Sequence, residues 1–97
     1  MPDYEIKFHP SFFDDLKKLD KFYLGLLHKW YKRIKEDPLQ QRRLTSTNNC
    51  FKVRIEKLRV IYYVEHNEIW FLIARKRDDV YEEYIKRLHS LKTRFKN

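Results

Sequence analysis

Ninety-seven residues suffice for one domain with a modest core and are too few for two. An apolar fraction of 42%, with 16% aromatic residues, excludes a disordered tail despite 37% charge. The formal net charge of +8 points to an anionic partner, and the lone cysteine, Cys50, excludes an intramolecular disulfide. Tyr4, Ile6 and Phe8 alternate with Glu5, Lys7 and His9, which predicts a first strand ended by Pro10. Ser11 then reads as the N-cap of a short helix carrying Phe12, Phe13, Leu16 and Leu19. Asp20 begins a second helix with the apolar stripe Phe22, Leu26, Leu27, Trp30 and Ile34, stopped by Asp37-Pro38. Residues 38–49 are polar and aperiodic, and are expected as loop.

Three alternating runs follow, Cys50–Ile55, Leu58–Glu65 and Glu68–Lys76, joined at Glu56-Lys57 and His66-Asn67. They predict a meander; because Glu56-Lys57 lacks the Gly or Asn favoured in a two-residue turn, that turn is expected to be wider. From Asp78 onward Val80, Tyr81, Tyr84, Ile85, Leu88, Leu91 and Phe95 recur at helical intervals. This predicts a helix over about 79–92 and a frayed tail over 93–97. The expected fold is one α+β domain over residues 1–97, ordered β-α-α-β-β-β-α, with a mostly antiparallel four-stranded sheet packed against helices. The N-terminal MPDYEIKF has no apolar signal core, and no run reaches the ~18 apolar residues of a membrane span. A cytoplasmic protein without membrane attachment is therefore expected.

The charge is concentrated. Between Arg42 and Arg59 stand six cations and one acid, Glu56, and Arg75-Lys76-Arg77 forms a second run. If Phe51, Val53 and Ile55 share a core with Leu58, Val60, Tyr62 and Val64, then Val53 pairs with Val60 and Arg54 with Arg59. Continuing across the next hairpin pairs Tyr62 with Phe71, Val60 with Ile73 and Arg59 with Ala74. One end of the sheet then gathers Arg54, Arg59 and the 75–77 run, with Lys52 two residues back and Tyr81 one helical turn beyond Arg77. Like charges opposed across a sheet cost some tenths of a kcal/mol per pair. Basic proteins do carry solvated cations on open faces, but three separate stretches converging on one end favour an anionic ligand.

The stretch LTSTNNCFKVRIEKLRVIYYVEHNEIWFLIARKRDDVYEEYIKRL resembles the RelE/ParE toxin superfamily, the toxin half of toxin–antitoxin pairs. The resemblance rests on Leu44, Phe51-Lys52-Val53-Arg54, Arg59-Val60-Ile61-Tyr62, Arg75-Lys76-Arg77 and Val80-Tyr81 in that order and spacing, within residues 4 to about 89. It implies one of two activities. RelE-type members cleave messenger RNA in the ribosomal decoding site; ParE-type members poison DNA gyrase. A cation or the tyrosine stands at every position the RelE branch uses (Lys52, Arg54, Arg59, the 75–77 run and Tyr81), which favours the nuclease. The chain departs from the pattern at Arg54, where characterised members have a second lysine, and either Arg75 or Arg77 can be the matching arginine. The resemblance also implies an acidic, RelB-like antitoxin that forms a hetero-oligomer able to bind operator DNA.

Metal-free RNA cleavage needs a base for the 2′-OH proton, cations for the phosphorane and an acid for the leaving 5′-oxygen. His9, His28, His66 and His89 lie on other elements. Among the clustered cations Lys52 is the plausible amine base, since guanidinium scarcely deprotonates. Arg54 and Arg59 are assigned to the phosphate, Arg75 or Arg77 to the phosphate or leaving group, and Tyr81 to stacking on a base or orienting the 2′-OH. Arg42, Arg43, Lys57 and Lys76 are expected to bind RNA nearby. Tyr81 can alternatively be a core residue, and Cys50 reads as a small buried hydrophobe. No Cys, His, Asp or Glu set has metal-ligand spacing, so neither metal nor cofactor is expected. The competing readings are a gyrase poison and a non-catalytic nucleic-acid-binding domain.

Overall fold

A computed structural model describes residues 3–45 and 49–95. In chain order they form β1 (Glu5–Phe8), α1 (Phe12–Lys17), α2 (Lys21–Glu36), β2 (Arg42–Arg43), β3 (Cys50–Ile55), β4 (Leu58–Glu65), β5 (Glu68–Arg75) and α3 (Val80–Phe95). The sheet has five strands in the order β1-β5-β4-β3-β2, not four. It is mixed, because β1 runs parallel to β5 while the remaining pairs are antiparallel. The added strand is β2, two residues from the expected loop that pair with Lys52 and Phe51. Two residues are too few to carry a period, so pairing with β3 defines this strand rather than any pattern of its own.

Both faces of the sheet are covered. On one, Phe12, Tyr23, Leu27 and Ile34 from α1 and α2 bury Phe51, Val53, Val60, Tyr62 and Phe71. On the other, Val80, Tyr84, Leu88 and Leu91 of α3 bury Cys50, Ile61, Tyr63, Leu72 and Ile73. This explains why β4 is buried at all but its Arg59 and Glu65 positions. The α2 stripe turns inward through Tyr23 rather than Phe22, since Tyr23, Leu27 and Ile34 keep the i, i+4, i+11 spacing of one face while Phe22 is 59% exposed. Ile85 also faces solvent. Tyr62 is fully buried, and its hydroxyl donates to the Pro38 carbonyl at 2.6 Å, anchoring the chain that leaves α2.

Asp20 caps α2 as expected, accepting from the Tyr23 N–H at 3.1 Å. Ser11 does not cap α1 with its side chain: its backbone is already helical, and its N–H donates to Nδ1 of His9. Helix α3 runs on to Phe95, past the expected end near 92; residues 96–97 of the expected tail lie outside the described residues.

The β3–β4 register is the expected one, Val53 opposite Val60 and Arg54 opposite Arg59. Its turn is not wider. Ile55 pairs with Leu58, and Glu56 takes a φ of 56°, the positive value that two-residue hairpins require. In the β4–β5 hairpin Tyr62 faces Phe71 as expected, but a β-bulge lies between Ile61 and Tyr62. Beyond it Val60 pairs with Ala74 and Arg59 with Arg75, not with Ile73 and Ala74. The extra residue lets Leu72 and Ile73 both enter the α3-side core.

Candidate functional site

The bulge aligns the basic end of the sheet. Arg54, Arg59 and Arg75 now lie directly across from one another on β3, β4 and β5. Opposed guanidiniums repel, and each is held by a different partner. Arg54 donates from Nε to the Glu56 carbonyl at 3.2 Å. Arg59 donates to the Lys76 carbonyl at 2.7 Å and pairs with Asp78 at 3.0 Å. Arg75 pairs with Asp79 at 2.9 Å and approaches Asp15 at 3.6 Å.

Lys52, two residues before Arg54 on the same face of β3, is half-buried against α3. Its Nζ donates to the Tyr81 hydroxyl at 3.0 Å. The Tyr81 ring centroid is 5.3 Å from Nζ. With the hydroxyl so much nearer, the ammonium sits beyond the phenolic oxygen and not over the ring face, so the hydrogen bond is the operative contact. Tyr81 occupies the first turn of α3 and is partly exposed. The helix is set there by the backbone, where Val80 and Tyr81 donate to the Arg77 and Asp78 carbonyls.

The remaining expected cations do not form one group. Arg42 lies opposite Lys52 and is exposed. Arg43, its neighbour on a two-residue strand, points to the opposite face, where its guanidinium lies 5.1 Å from the Phe51 ring and it donates to Asn49 at 3.3 Å. Lys76 likewise turns to the α2 side, 4.2 Å from the Tyr23 ring. Lys57 is exposed in the turn beside Arg54 and Arg59. Arg77 lies past the end of β5, exposed, and its side chain makes no hydrogen bond or ion pair among the described residues.

Three carboxylates went unforeseen. Asp78 and Asp79, immediately before α3, hold Arg59 and Arg75. Asp15 is 3% exposed and forms a two-pronged pair with Arg87 of α3, at 2.7 and 3.3 Å. Strand β1 stops at Phe8, opposite Phe71, so the next stretch of the β5 edge has no strand beside it. Asp15 accepts the Ala74 N–H at 3.0 Å, and Arg87 donates to the Leu72 carbonyl at 2.7 Å. The ion pair thus replaces a strand neighbour. Its signal in the sequence was a charged residue inside an apolar stripe: Asp15 stands between Phe12 and Leu19, and Arg87 between Tyr84 and Leu91.

Burial pushes the Cys50 thiol up to about 12, with the Lys92 charge pulling the other way, which makes it a poor nucleophile. Among the described residues no group of three or more His, Cys, Asp or Glu side chains is placed to hold a metal ion. Among the described residues no helix is long and apolar enough to cross a membrane.

Several solved structures share this fold. A free-state arginine double variant of the E. coli toxin RelE superposes with a TM-score of 0.77 at 21% identity, over 90% of this chain and 98% of that one. The toxin–antitoxin complex RelBE2 of Mycobacterium tuberculosis gives 0.66 at 21% identity, over 81% and 97%. The RelB–RelE antitoxin–toxin complex of Methanococcus jannaschii gives 0.65 at 16% identity, over 78% and 95%. No curated protein matches the sequence. Residues 6–81, from β1 to the first turn of α3, match the family model described as the ParE toxin of the type II toxin–antitoxin system parDE. The chain therefore belongs to the ParE toxin family, within the RelE/ParE superfamily, and is a toxin of a toxin–antitoxin system.

Proposed function

We propose that this toxin is an endoribonuclease that cleaves messenger RNA in the decoding site of the small ribosomal subunit and so inhibits translation. The observation that carries the reading is the Lys52 Nζ–Tyr81 hydroxyl contact at 3.0 Å, beside the aligned row Arg54–Arg59–Arg75. In this scheme Lys52, as the amine, takes the 2′-OH proton while the Tyr81 hydroxyl orients the ribose. The 2′-oxygen attacks the adjacent phosphorus, the bond to the 5′-oxygen breaks, and that oxygen takes a proton from water while Lys52 returns its own to solvent, leaving a 2′,3′-cyclic phosphate and a 5′-OH. Arg54 and Arg59 stabilise the charge on the phosphorane. Arg75, in register with Arg59, is the better placed of the two candidate arginines for phosphate or leaving group; Arg77 lies outside the row. Lacking a histidine, such a site is slow on naked RNA, and the ribosome supplies the strained substrate geometry.

The test is to add purified toxin to translating ribosomes and map new 5′ ends. Cleavage within codons at the decoding site is expected, and messages left intact at stoichiometric toxin would refute the reading. The match to a ParE family model favours one second reading, a gyrase poison. That reading predicts linearised plasmid when toxin, gyrase and ATP are combined.

The partner follows from charge and from the relatives. The M. jannaschii and M. tuberculosis structures are toxin–antitoxin complexes. By that likeness a RelB-like acidic antitoxin covers the basic end of the sheet, in a cytoplasmic hetero-oligomer that binds operator DNA.

A further inference from the structure

Next to the arginine row, on the side of α1, the 74–79 segment and the end of α1 enclose a pocket of about 310 Å³. We propose that this pocket is a second phosphate site, taking a backbone phosphate of the same RNA strand whose scissile phosphate lies on Arg54, Arg59 and Arg75. The inference rests on the nuclease reading and adds to it a residue outside the site described above, Lys18.

Charge accounting within the pocket supports an anion. Four cations line it, Lys18, Arg75, Lys76 and Arg77, with two acids, Asp15 and Asp79. Both acids are committed: Asp15 to Arg87 and the Ala74 N–H, Asp79 to Arg75. Lys76 lies against the Tyr23 ring. Lys18 and Arg77 remain, both exposed and with side chains that make no hydrogen bond or ion pair among the described residues. An ammonium and a guanidinium flanking an open pocket suit a phosphodiester, one as a point charge and the other as a planar donor.

Size and lining narrow the occupant. The volume is at the low end of the ~300–1,000 Å³ typical of ligand pockets, on the scale of a nucleotide unit and not of a helix. Six of its eight lining residues are charged and only Leu19 and Ala74 are apolar, a lining suited to a charged group. Position ties the pocket to the catalytic row, because Arg75 belongs to both. The Lys52–Tyr81 pair lies on the α3 face of the sheet and Lys18 on the α1 face. A strand engaging both therefore passes around the end of the sheet, over Arg75.

The test is an NMR titration of the full chain with two 2′-O-methyl RNAs that resist cleavage: a dinucleotide with one phosphodiester, and an octanucleotide. The octanucleotide should shift the amides of Lys18 and Leu19, and the dinucleotide only those around Lys52, Arg54 and Arg59. Lys18→Ala, at an exposed and unpaired side chain, should weaken the octanucleotide on the order of fivefold and lower its salt slope by about 0.7, leaving the dinucleotide unaffected. Unchanged octanucleotide affinity and slope in Lys18→Ala would overturn the second site. So would a glutamate-rich peptide whose binding falls in Lys18→Ala while RNA binding does not. The arm that tests the parent reading is Arg59→Ala, which should weaken both RNAs. If it weakens neither, or if the unmodified protein binds neither, the nuclease reading fails and the second site with it.

Discussion

An Asp15→Ala substitution tests the contact that joins α1, α3 and the open edge of β5. The change removes a carboxylate that is 3% exposed and leaves Arg87, 5% exposed, without its main counter-charge. Breaking a buried ion pair from one side costs about 3–5 kcal/mol. The Ala74 N–H also loses its acceptor, a further ~1–3 kcal/mol if no water replaces it. Two contacts soften the loss, because Arg87 keeps the Leu72 carbonyl at 2.7 Å and Glu83 at 3.6 Å. A net loss of about 4 kcal/mol is expected, a large part of the ~5–15 kcal/mol that stabilises a small domain. Urea unfolding followed by circular dichroism measures it directly.

A companion variant separates lost pairing from lost packing. In Asp15→Asn/Arg87→Met the asparagine oxygen still accepts from Ala74 and no buried charge remains. Replacing a buried pair by neutral groups is often close to neutral, so this double variant should recover more than half of what Asp15→Ala loses. Arg87→Met alone should also be damaging, since it leaves the buried carboxylate only the Arg75 contact at 3.6 Å and the Ala74 N–H. Either of two results would refute the account: a loss below about 1 kcal/mol in Asp15→Ala, or a double variant whose loss equals the sum of the Asp15→Asn and Arg87→Met losses.

Four further outcomes are expected. Lys52→Ala should lower ribosome-dependent cleavage by about 10²-fold or more and Tyr81→Phe by roughly tenfold, both read from single-turnover mapping of 5′ ends with unchanged circular dichroism. Burial raises the Cys50 thiol and the Tyr31 and Tyr63 hydroxyls to about 12, and Tyr62 higher still, from ordinary values of 9.0 and 10.0. The unfolded chain therefore releases these protons first, so stability is retained below pH 9 and lost between about pH 9 and 12; urea midpoints against pH should show this, with Cys50→Ala moving the onset toward 10. Glu56→Gly relieves a positive φ in the β3–β4 turn and should raise stability by about 0.5–1 kcal/mol, seen as a higher urea midpoint. Asp78→Asn should change stability by less than about 1 kcal/mol, because Asp78 is 85% exposed, while tightening RNA binding at low salt.

Alternation made the meander legible, because Phe51, Val53 and Ile55 share one core with Leu58, Val60, Tyr62 and Val64. The Asp20 cap and the Asp37-Pro38 stop were legible for the same local reason: each acts on its own backbone. The bulge was not. Leu72 and Ile73 are both apolar, so a one-residue insertion between them leaves the hydrophobic pattern unchanged. That silence misplaced Arg75 by one position and hid its alignment with Arg59. Residues 42–43 escaped because a strand held by a neighbour's edge needs no period. The basic end itself was legible from charge density; the contacts of Arg43 and Lys76 with aromatic rings on the α1–α2 face were not.

The partners of the arginine row explain how one end of a sheet can be both stable and receptive. Three guanidiniums in line would repel unless countered, and three carboxylates counter two of them, Arg59 and Arg75, at different depths. Asp15 is inaccessible and bound to Arg87, so its hold on Arg75 is a fixed part of the fold. Asp79 is about half exposed and Asp78 nearly free in water, so the ion pairs they make contribute little net energy. A phosphate approaching the row competes only with those outer carboxylates. It can displace them without disturbing the inner pair, and the backbone bonds from Arg54 to Glu56 and from Arg59 to Lys76 keep both guanidiniums aimed as it does so. In the proposed nuclease the row would thus be aligned by backbone contacts that phosphate leaves in place, while the charge of Arg59 and Arg75 is countered in the free toxin by ion pairs that phosphate would displace.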